Sequence, residues 1–150
     1  GSGIAAERVC EQLTGAGSYM GVDQSQAACD AARARCKAHT PRMKAIFWNK
    51  PFDASDREPA LFDRVLAINV NILWTDDGAQ LRDIRRIMHH ETRLVLVYET
   101  PTTEQRSKIA RLLKQRLEPL FGSVSTKLRT AGGKPMLAAI AEDVFRRRNP

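Results

Sequence analysis

The stretch GSGIAAERVCEQL, Gly1 to Leu13, is the part of the chain that decides the fold, because it joins a glycine turn to a helical pattern. A strand-like segment, 18–22, follows it and ends in Asp23, which lies 20 residues after Gly3. Glycines let a backbone turn approach a ligand and open a helix, and a carboxylate at the tip of the next strand can accept hydrogen bonds from ribose hydroxyls. A lone Gly-x-Gly is weak on its own, so the rest of the chain has to support the cofactor site that this stretch predicts.

The composition is that of one globular domain over residues 1–150. The chain has 150 residues, of which 43% are hydrophobic and 27% charged, which is enough for a single sizeable core. The sequence has no apolar run near the ~20 residues of a membrane helix and no signal-peptide pattern. We therefore expect a cytoplasmic protein with no membrane partner.

Three cysteines, Cys10, Cys29 and Cys36, are too few and too irregularly spaced for a metal site or a disulfide framework. Cys29 and Cys36 share one helical face with Ala32, where small apolar thiols usually lie. We predict buried, reduced thiols without a partner for redox or nucleophilic chemistry.

The net charge of +7 is the one feature that favours nucleic acid as a partner, since lysine and arginine neutralise phosphates. The basic residues are nevertheless scattered over predicted helix faces and are not interleaved with aromatic residues. The dense run 146–148 is typical of a solvated tail. Charge alone therefore identifies no partner.

Strands and helices alternate along most of the chain. Helices are predicted over 4–13, 26–38 and 103–120, the second of them with Ser25 as its N-cap. A further helix is predicted after the turn 76–78, with an apolar stripe formed by Leu81, Ile84 and Met88. Strands are predicted over 18–23, 43–48, 65–68 and 94–97, and a hairpin over 123–130 and 135–141. The continuous apolar runs 65–68 and 94–97 are typical of strands buried on both faces. This order predicts an α/β sandwich with a mostly parallel sheet that ends in an antiparallel hairpin.

With these elements in place, the whole chain resembles the class I S-adenosylmethionine-dependent methyltransferases. The features that match are the glycines Gly1-Ser2-Gly3, Asp23 with Gln24-Ser25, the run 62–70, the helix 80–86 and the strand 93–97. The resemblance implies a Rossmann-like methyltransferase sandwich, a single domain over 1–150 that binds S-adenosyl-L-methionine.

The resemblance also implies roles for particular residues. Gly1 and Gly3 would approach the amino-acid portion of the cofactor, and Asp23 would hold its ribose. Gln24 and Asn49 would lie against the adenine. Asn69 and Val70, in the turn after the fourth strand of the family, would lie near the methionine end.

One departure from the family concerns the strand that normally precedes the glycine turn. Family members place a central strand, ending in an acid and a further glycine, before the residues that match Gly1-Ser2-Gly3. We expect the fold to be N-terminally truncated in the chain as given, and we expect that chain to be an inefficient enzyme by itself. A tag remnant is the alternative interpretation of Gly1 and Ser2.

Methyl transfer is an in-line displacement that depends on proximity and orientation and needs a base only if the acceptor must lose a proton. No catalytic residue is assigned. The edge where α/β sheets bind ligands carries three candidate substrate contacts, Trp74, Asp76 and Glu99, which follow predicted strands. The alternative interpretation is that Asp76 and Glu99 are ordinary surface carboxylates and that the Trp74 indole lies at the edge of the core. Tyr98 can serve as a base only if its pKa is lowered.

The histidines do not indicate a metal site. His89 and His90 are adjacent in sequence at the predicted end of a helix, and His39 is remote from both. We expect no bound metal.

Four functions remain open from the sequence. We favour a methyltransferase acting on a small molecule. The first alternative is a nucleic-acid methyltransferase, although this chain has Asn69-Val70-Asn71-Ile72 where base methylases carry an Asn-Pro-Pro-Tyr type of motif. The second is a non-catalytic relative that keeps the fold. The third is a nicotinamide-dependent oxidoreductase, which the terminal hairpin disfavours. The sequence does not predict the acceptor or the oligomeric state.

Overall fold

The computed structural model describes residues 1–13, 16–37, 44–52 and 62–143. The chain divides into two compact units, Gly1–Asp53 and Ala54–Pro150. Both units combine helices with strands, so the protein is an α/β protein, as the alternating pattern predicts.

The first unit consists of two helices packed on a two-stranded parallel sheet. In chain order it contains α1 (Ile4–Gln12), β1 (Ser18–Asp23), α2 (Gln26–Cys36) and β2 (Lys44–Asn49). The predicted N-cap is confirmed, because Ser25 Oγ accepts a hydrogen bond of 3.2 Å from the Ala28 N–H. Its core joins the two helices to the sheet through Cys10 and Cys36, with Tyr19 and Phe47 packed against them.

The second unit is a four-stranded mixed sheet with helices. It contains β3 (Phe62–Ile68), α3 (Ile72–Thr75), α4 (Ala79–Arg86), β4 (Met88–Glu99), α5 (Thr103–Leu117), β5 (Ser123–Ala131) and β6 (Lys134–Glu142). The strand order is β3-β4-β6-β5, with β3 parallel to β4 and the other pairs antiparallel. The predicted terminal hairpin is confirmed in β5 and β6.

The core of the second unit lies between one face of this sheet and the apolar side of α5. Leu94 and Leu96 of β4 pair in register with Ala141 and Ala139 of β6, and all four side chains are buried. On α5 the buried residues are Ile109, Leu113 and Leu117. The opposite face is more open, since Val95 and Val97 are only half-buried.

The prediction that the run 65–68 is buried on both faces is wrong. Leu66 and Ile68 are 45% and 46% exposed, whereas Val65 and Ala67 are half-buried. The physical reason is the position of β3 at the edge of its sheet, with one described neighbour, β4, and an outer face that no described helix of its unit covers. A continuous apolar run thus distinguishes a strand from a loop but does not fix how many of its faces are covered.

The boundary between α4 and β4 also differs from the prediction. Leu81 and Ile84 are buried on α4 as expected, but the helix ends at Arg86 and Met88 is the first residue of β4. His89 and His90 therefore lie in a strand and not at the end of a helix. Among the residues that the structure describes, no helix is long and apolar enough to cross a membrane.

Candidate cofactor and substrate site

Asp23 lies at the carboxyl end of β1, where its two carboxylate oxygens have different partners. Oδ2 accepts a hydrogen bond from the amino group of Gly1, and Oδ1 accepts one of 2.8 Å from the Ser25 N–H. These two donors hold the pKa of the Asp23 carboxyl below its ordinary value. About 30% of the side chain is exposed, and each oxygen has a second lone pair. A charged acceptor is therefore available at the tip of this strand.

The end of β2 fixes the turn that follows Asp23. Asn49 pairs in register with Asp23, and its side-chain amide donates to the Gln24 carbonyl at 2.8 Å and to the Asp23 carbonyl at 3.3 Å. The Lys50 N–H adds a bond of 3.1 Å to the Asp23 carbonyl. Gln24 itself is exposed beside this turn. The structure thus brings Gly1, Asp23, Gln24 and Asn49 together at the ends of β1 and β2, and their contact with a cofactor stays a prediction.

Gly3 has a structural reason to be glycine. Its φ is 85°, and a Cβ placed on it would lie 2.5 Å from the Cα and 2.8 Å from the Cβ of Ala32 on α2. A Cβ on Gly1 would meet no atom within 4 Å. The packing of α1 against α2 therefore requires the second glycine, whereas open space surrounds the first.

In the second unit, Asn69 follows β3 in a left-handed backbone conformation with φ of 55°, which residues other than glycine rarely adopt. Its N–H donates to the Val97 carbonyl at 2.8 Å, and its side-chain Oδ1 accepts from the Glu99 N–H at 2.9 Å. Both bonds tie the turn after β3 to the end of β4. Backbone strain of this kind is found where surrounding contacts hold a loop in a defined shape, which is frequent at functional sites.

Tyr98 is bonded to the same turn through its side-chain hydroxyl. Its hydroxyl donates to the Val70 carbonyl at 2.9 Å, and the ring is almost fully buried. Burial raises the pKa of Tyr98 above its ordinary value. The phenol therefore acts as a structural donor, and the lowered pKa that a base would need is absent.

The three candidate substrate residues differ in what they already contact. Glu99 is exposed and accepts a hydrogen bond of 2.6 Å from Lys134 Nζ. Asp76 caps α4, because its two oxygens accept from the N–H groups of Gly78 at 2.7 Å and Gln80 at 3.2 Å. Trp74 is half-buried, with its indole N–H 3.3 Å from Asn71 Oδ1. Substrate contact stays a prediction for all three residues, and the cap explains Asp76 without it.

The predicted site residues thus form two clusters, one in each unit. Gly1, Gly3, Asp23, Gln24 and Asn49 belong to the first unit, and Asn69, Val70, Trp74, Asp76 and Glu99 to the second. No group of histidine, cysteine and acidic residues suited to a metal occurs among the described residues. His39 lies outside them.

Sequence reasoning missed two contacts that shape these clusters. Ser25 was predicted as the cap of α2 but not as a partner of Asp23, although an acid two residues before a helix cap is the pattern of an Asx turn, which predicts the bond from the Ser25 N–H to Asp23. Lys134 gave no such signal, since its partner Glu99 lies 35 residues earlier on another strand.

The turn after β3 offers a test of its backbone strain. We expect Asn69→Gly to lower the free energy of unfolding by about 1 kcal/mol, because it keeps the backbone conformation and loses the bond to Glu99. Asn69→Ala should lower it by about 2 kcal/mol, since alanine also resists the left-handed conformation. Urea unfolding followed by Trp74 fluorescence, with Trp48 replaced by Phe, measures both. Equal losses in the two variants would show that the conformation carries no strain.

Comparison with known proteins supports the interpretation of the fold and site. A family model described as a methyltransferase domain matches residues 1–91, more than half of the chain. No match was found among curated proteins. The chain belongs to the methyltransferase-domain family, and the resemblance to class I S-adenosylmethionine-dependent methyltransferases is confirmed.

Solved structures show the same fold at low sequence identity. A putative rRNA-methylase from Clostridium thermocellum is 15% identical with a TM-score of 0.69, and the match covers 96% of this chain and 83% of that one. An O-methyltransferase from Bacillus cereus in complex with SAH is 12% identical with a TM-score of 0.67, covering 94% and 70%.

A third solved structure, the [4+2]-cyclase SpnF, is 14% identical with a TM-score of 0.67, covering 95% and 72%. The match to another solved structure, the StiE O-MT segment, covers 66% of the length of that segment, so this chain spans only part of it. These matches establish a Rossmann-like fold, and the presence of a cyclase among them shows that this fold alone does not determine the reaction.

Proposed function

We propose that the protein binds S-adenosylmethionine and transfers its methyl group to a small-molecule acceptor. The observation that carries the proposal is the Asp23 carboxylate, ionised and partly exposed at the tip of β1, next to an open glycine turn in a methyltransferase-family domain. A ribose presents two hydroxyl donors, and the remaining lone pairs of this carboxylate can accept them.

The residues around Asp23 fit the rest of such a ligand. Gln24 is exposed and its carbonyl is held by Asn49, so the turn offers a fixed surface for a planar base. The open space at Gly1 admits a ligand close to the backbone. Asn69 and Val70 are part of the same proposal as contacts to the methionine end, supported by the rigid turn that Tyr98 and Glu99 maintain.

Orientation is the main contribution that the protein makes in this proposal. When bound, S-adenosylmethionine supplies an electrophilic methyl group, so the acceptor has only to be held in line with it. Glu99 is the residue best placed to orient an acceptor hydroxyl or amine, since its carboxylate is exposed at the carboxyl end of β4. Tyr98 takes no part in proton transfer, because its hydroxyl is engaged with Val70.

The arrangement of charge supports a small molecule over nucleic acid. Many cations of the described residues are paired with carboxylates, so these cations do not form an unneutralised basic patch for phosphates, and the net charge of +7 stays with the other basic residues. The paired residues are Arg8, Arg33, Arg35, Arg82, Arg85, Arg86, Arg93, Lys114 and Lys134. A cytoplasmic location belongs to the same proposal, supported by three cysteines of the described residues that are in no disulfide.

The first test is direct binding. We expect isothermal titration calorimetry with S-adenosylhomocysteine, the demethylated product, to give a dissociation constant in the micromolar to sub-millimolar range. NADH serves as the control ligand, because a nicotinamide-dependent oxidoreductase would bind it instead. Absence of binding by folded protein at millimolar S-adenosylhomocysteine would refute the cofactor assignment, and binding without methyl transfer to any acceptor would favour a non-catalytic relative.

A further inference from the structure

Two of the three cysteines meet in the core of the first unit. Cys10 lies near the end of α1 and Cys36 is the last residue of α2, and both belong to one buried cluster of side chains with Ala6. The two side chains are 4% and 1% exposed. The prediction of buried thiols is confirmed. The structure adds that helices from distant parts of the chain bring two of them into one cluster.

We propose that Cys10 and Cys36 form a disulfide modification site that fastens α1 to α2 under oxidising conditions. The two thiols pack in one buried cluster, so a small movement can bring their sulfurs to bonding distance. The two helices already pack together, with Gly3 against Ala32. The disulfide would link helices that begin next to the candidate cofactor site, since Asp23 and Ser25 immediately precede α2.

Hydrogen peroxide is the oxidant class that suits a buried pair, because it is small and needs no docking surface. The Cys10 sulfur, deprotonated as the nucleophile, attacks one peroxide oxygen, giving a sulfenic acid and, with the released proton, water. The Cys36 sulfur then attacks the Cys10 sulfur, and the hydroxyl leaves as a second water with the Cys36 proton. Overall, two thiols and one peroxide give one disulfide and two waters.

The environment sets the order and the rate of these steps. Burial raises the pKa of both thiols, that of Cys36 to about 11, while the neighbouring Cys36 thiol offsets part of the rise in the pKa of Cys10. Cys10 is thus the first nucleophile. The high pKa values protect the pair, so oxidation should be slower than at an exposed thiol.

Cys29 provides an internal control, because it is equally buried but has different neighbours. Its sulfur lies 3.5 Å from the Trp48 carbonyl and 3.6 Å from the Asp23 carbonyl. Carbonyl oxygens cannot form a disulfide. The proposal therefore specifies one link among the three that three cysteines allow.

The test is to map the products of peroxide treatment in the folded chain. After oxidation, the protein is denatured in an alkylating agent and cleaved after Lys, Arg and Glu, which puts the three cysteines on separate peptides. We expect mass spectrometry to find the Cys10 peptide joined to the Cys36 peptide, with Cys29 alkylated. Cys29→Ser should leave this link intact, and Cys10→Ser should abolish it.

A second measurement tests whether the bond fastens the helices. Closing the loop between residues 10 and 36 should raise the melting temperature by about 5 °C relative to the reduced protein, and dithiothreitol should reverse the rise. A link to Cys29, stable sulfinic acid at Cys10 without a link, or unreacted thiols after prolonged exposure would each overturn the site. A Cys10–Cys36 link that leaves the melting temperature unchanged would overturn its fastening role. Because the mapping uses the unaltered chain, a variant that fails to fold does not affect the outcome.

Discussion

Replacing Asp23 with alanine is expected to weaken the binding of S-adenosylhomocysteine by about 10- to 150-fold. The substitution removes hydrogen bonds from ribose hydroxyls to a charged acceptor, and such bonds contribute roughly 1.5–3 kcal/mol. The pKa of this carboxyl lies below its ordinary acidic value, so it is ionised at neutral pH and the full effect should appear under ordinary assay conditions.

The chain offers a matched control for this experiment. Asp30 is exposed on α2, where it pairs with Arg33, and it lies in the same unit without belonging to the candidate site. Asp30→Ala removes the same kind of side chain and should leave the dissociation constant unchanged. Thermal unfolding of both variants checks that the loss of the bond from the Ser25 N–H has not unfolded the strand tip.

An unchanged dissociation constant in Asp23→Ala would move the ribose contact to another residue. Equal weakening in both variants would point to a general electrostatic effect of removing a negative charge. The proposed contact predicts neither result, since it depends on one carboxylate at the end of β1.

Local patterns allowed much of the fold to be predicted. Ser25 was predicted as the cap of α2 because capping involves neighbours only a few residues apart, and the structure shows the bond to Ala28. The helix over 103–120 was predicted from helical periodicity, and the structure shows α5 there, with Ile109, Leu113 and Leu117 buried on one side. Asp23 was predicted at a strand tip from the pattern around it, and it lies there.

Long-range relations were the part that the sequence could not supply. The exposure of Leu66 depends on which strands lie beside β3, and a strand carries no local signal of its place in a sheet. The contact of Cys10 with Cys36 depends on how two helices pack, and the pair of Glu99 and Lys134 depends on the register of two strands.

Gly3 shows both kinds of information at one position. The sequence pattern identified the residue, and the interpretation was that glycine lets a ligand approach. The structure adds a second reason, the contact with Ala32, which the resemblance did not specify. The two reasons make different predictions, because a packing role affects folding whereas a ligand role affects binding.

Replacing Gly3 with alanine is therefore expected to lower the free energy of unfolding of the first unit by about 2–5 kcal/mol. The left-handed backbone accounts for about 1–2 kcal/mol, and a Cβ forced to 2.5 Å from the Ala32 Cα adds the cost of overpacking. Adding Ala32→Gly to Gly3→Ala should restore only part of the lost stability, since the shortest contact of the new Cβ is with a backbone atom that this change does not remove.

Gly132→Ala is the matched control, because it separates conformational strain from the clash. Gly132 also has a positive φ, 57°, but an added Cβ would meet no atom within 4 Å. Gly132→Ala should therefore lower the free energy of unfolding only by the cost of the left-handed backbone.

The chain has one tryptophan in each unit, so each unit can be followed separately in urea. Trp48 fluorescence, with Trp74 replaced by Phe, reports on the first unit. Trp74 fluorescence, with Trp48 replaced by Phe, reports on the second. Equal losses for Gly3→Ala and Gly132→Ala would contradict the packing role, and a fall in S-adenosylhomocysteine affinity without loss of stability would show that Gly3 serves the ligand instead.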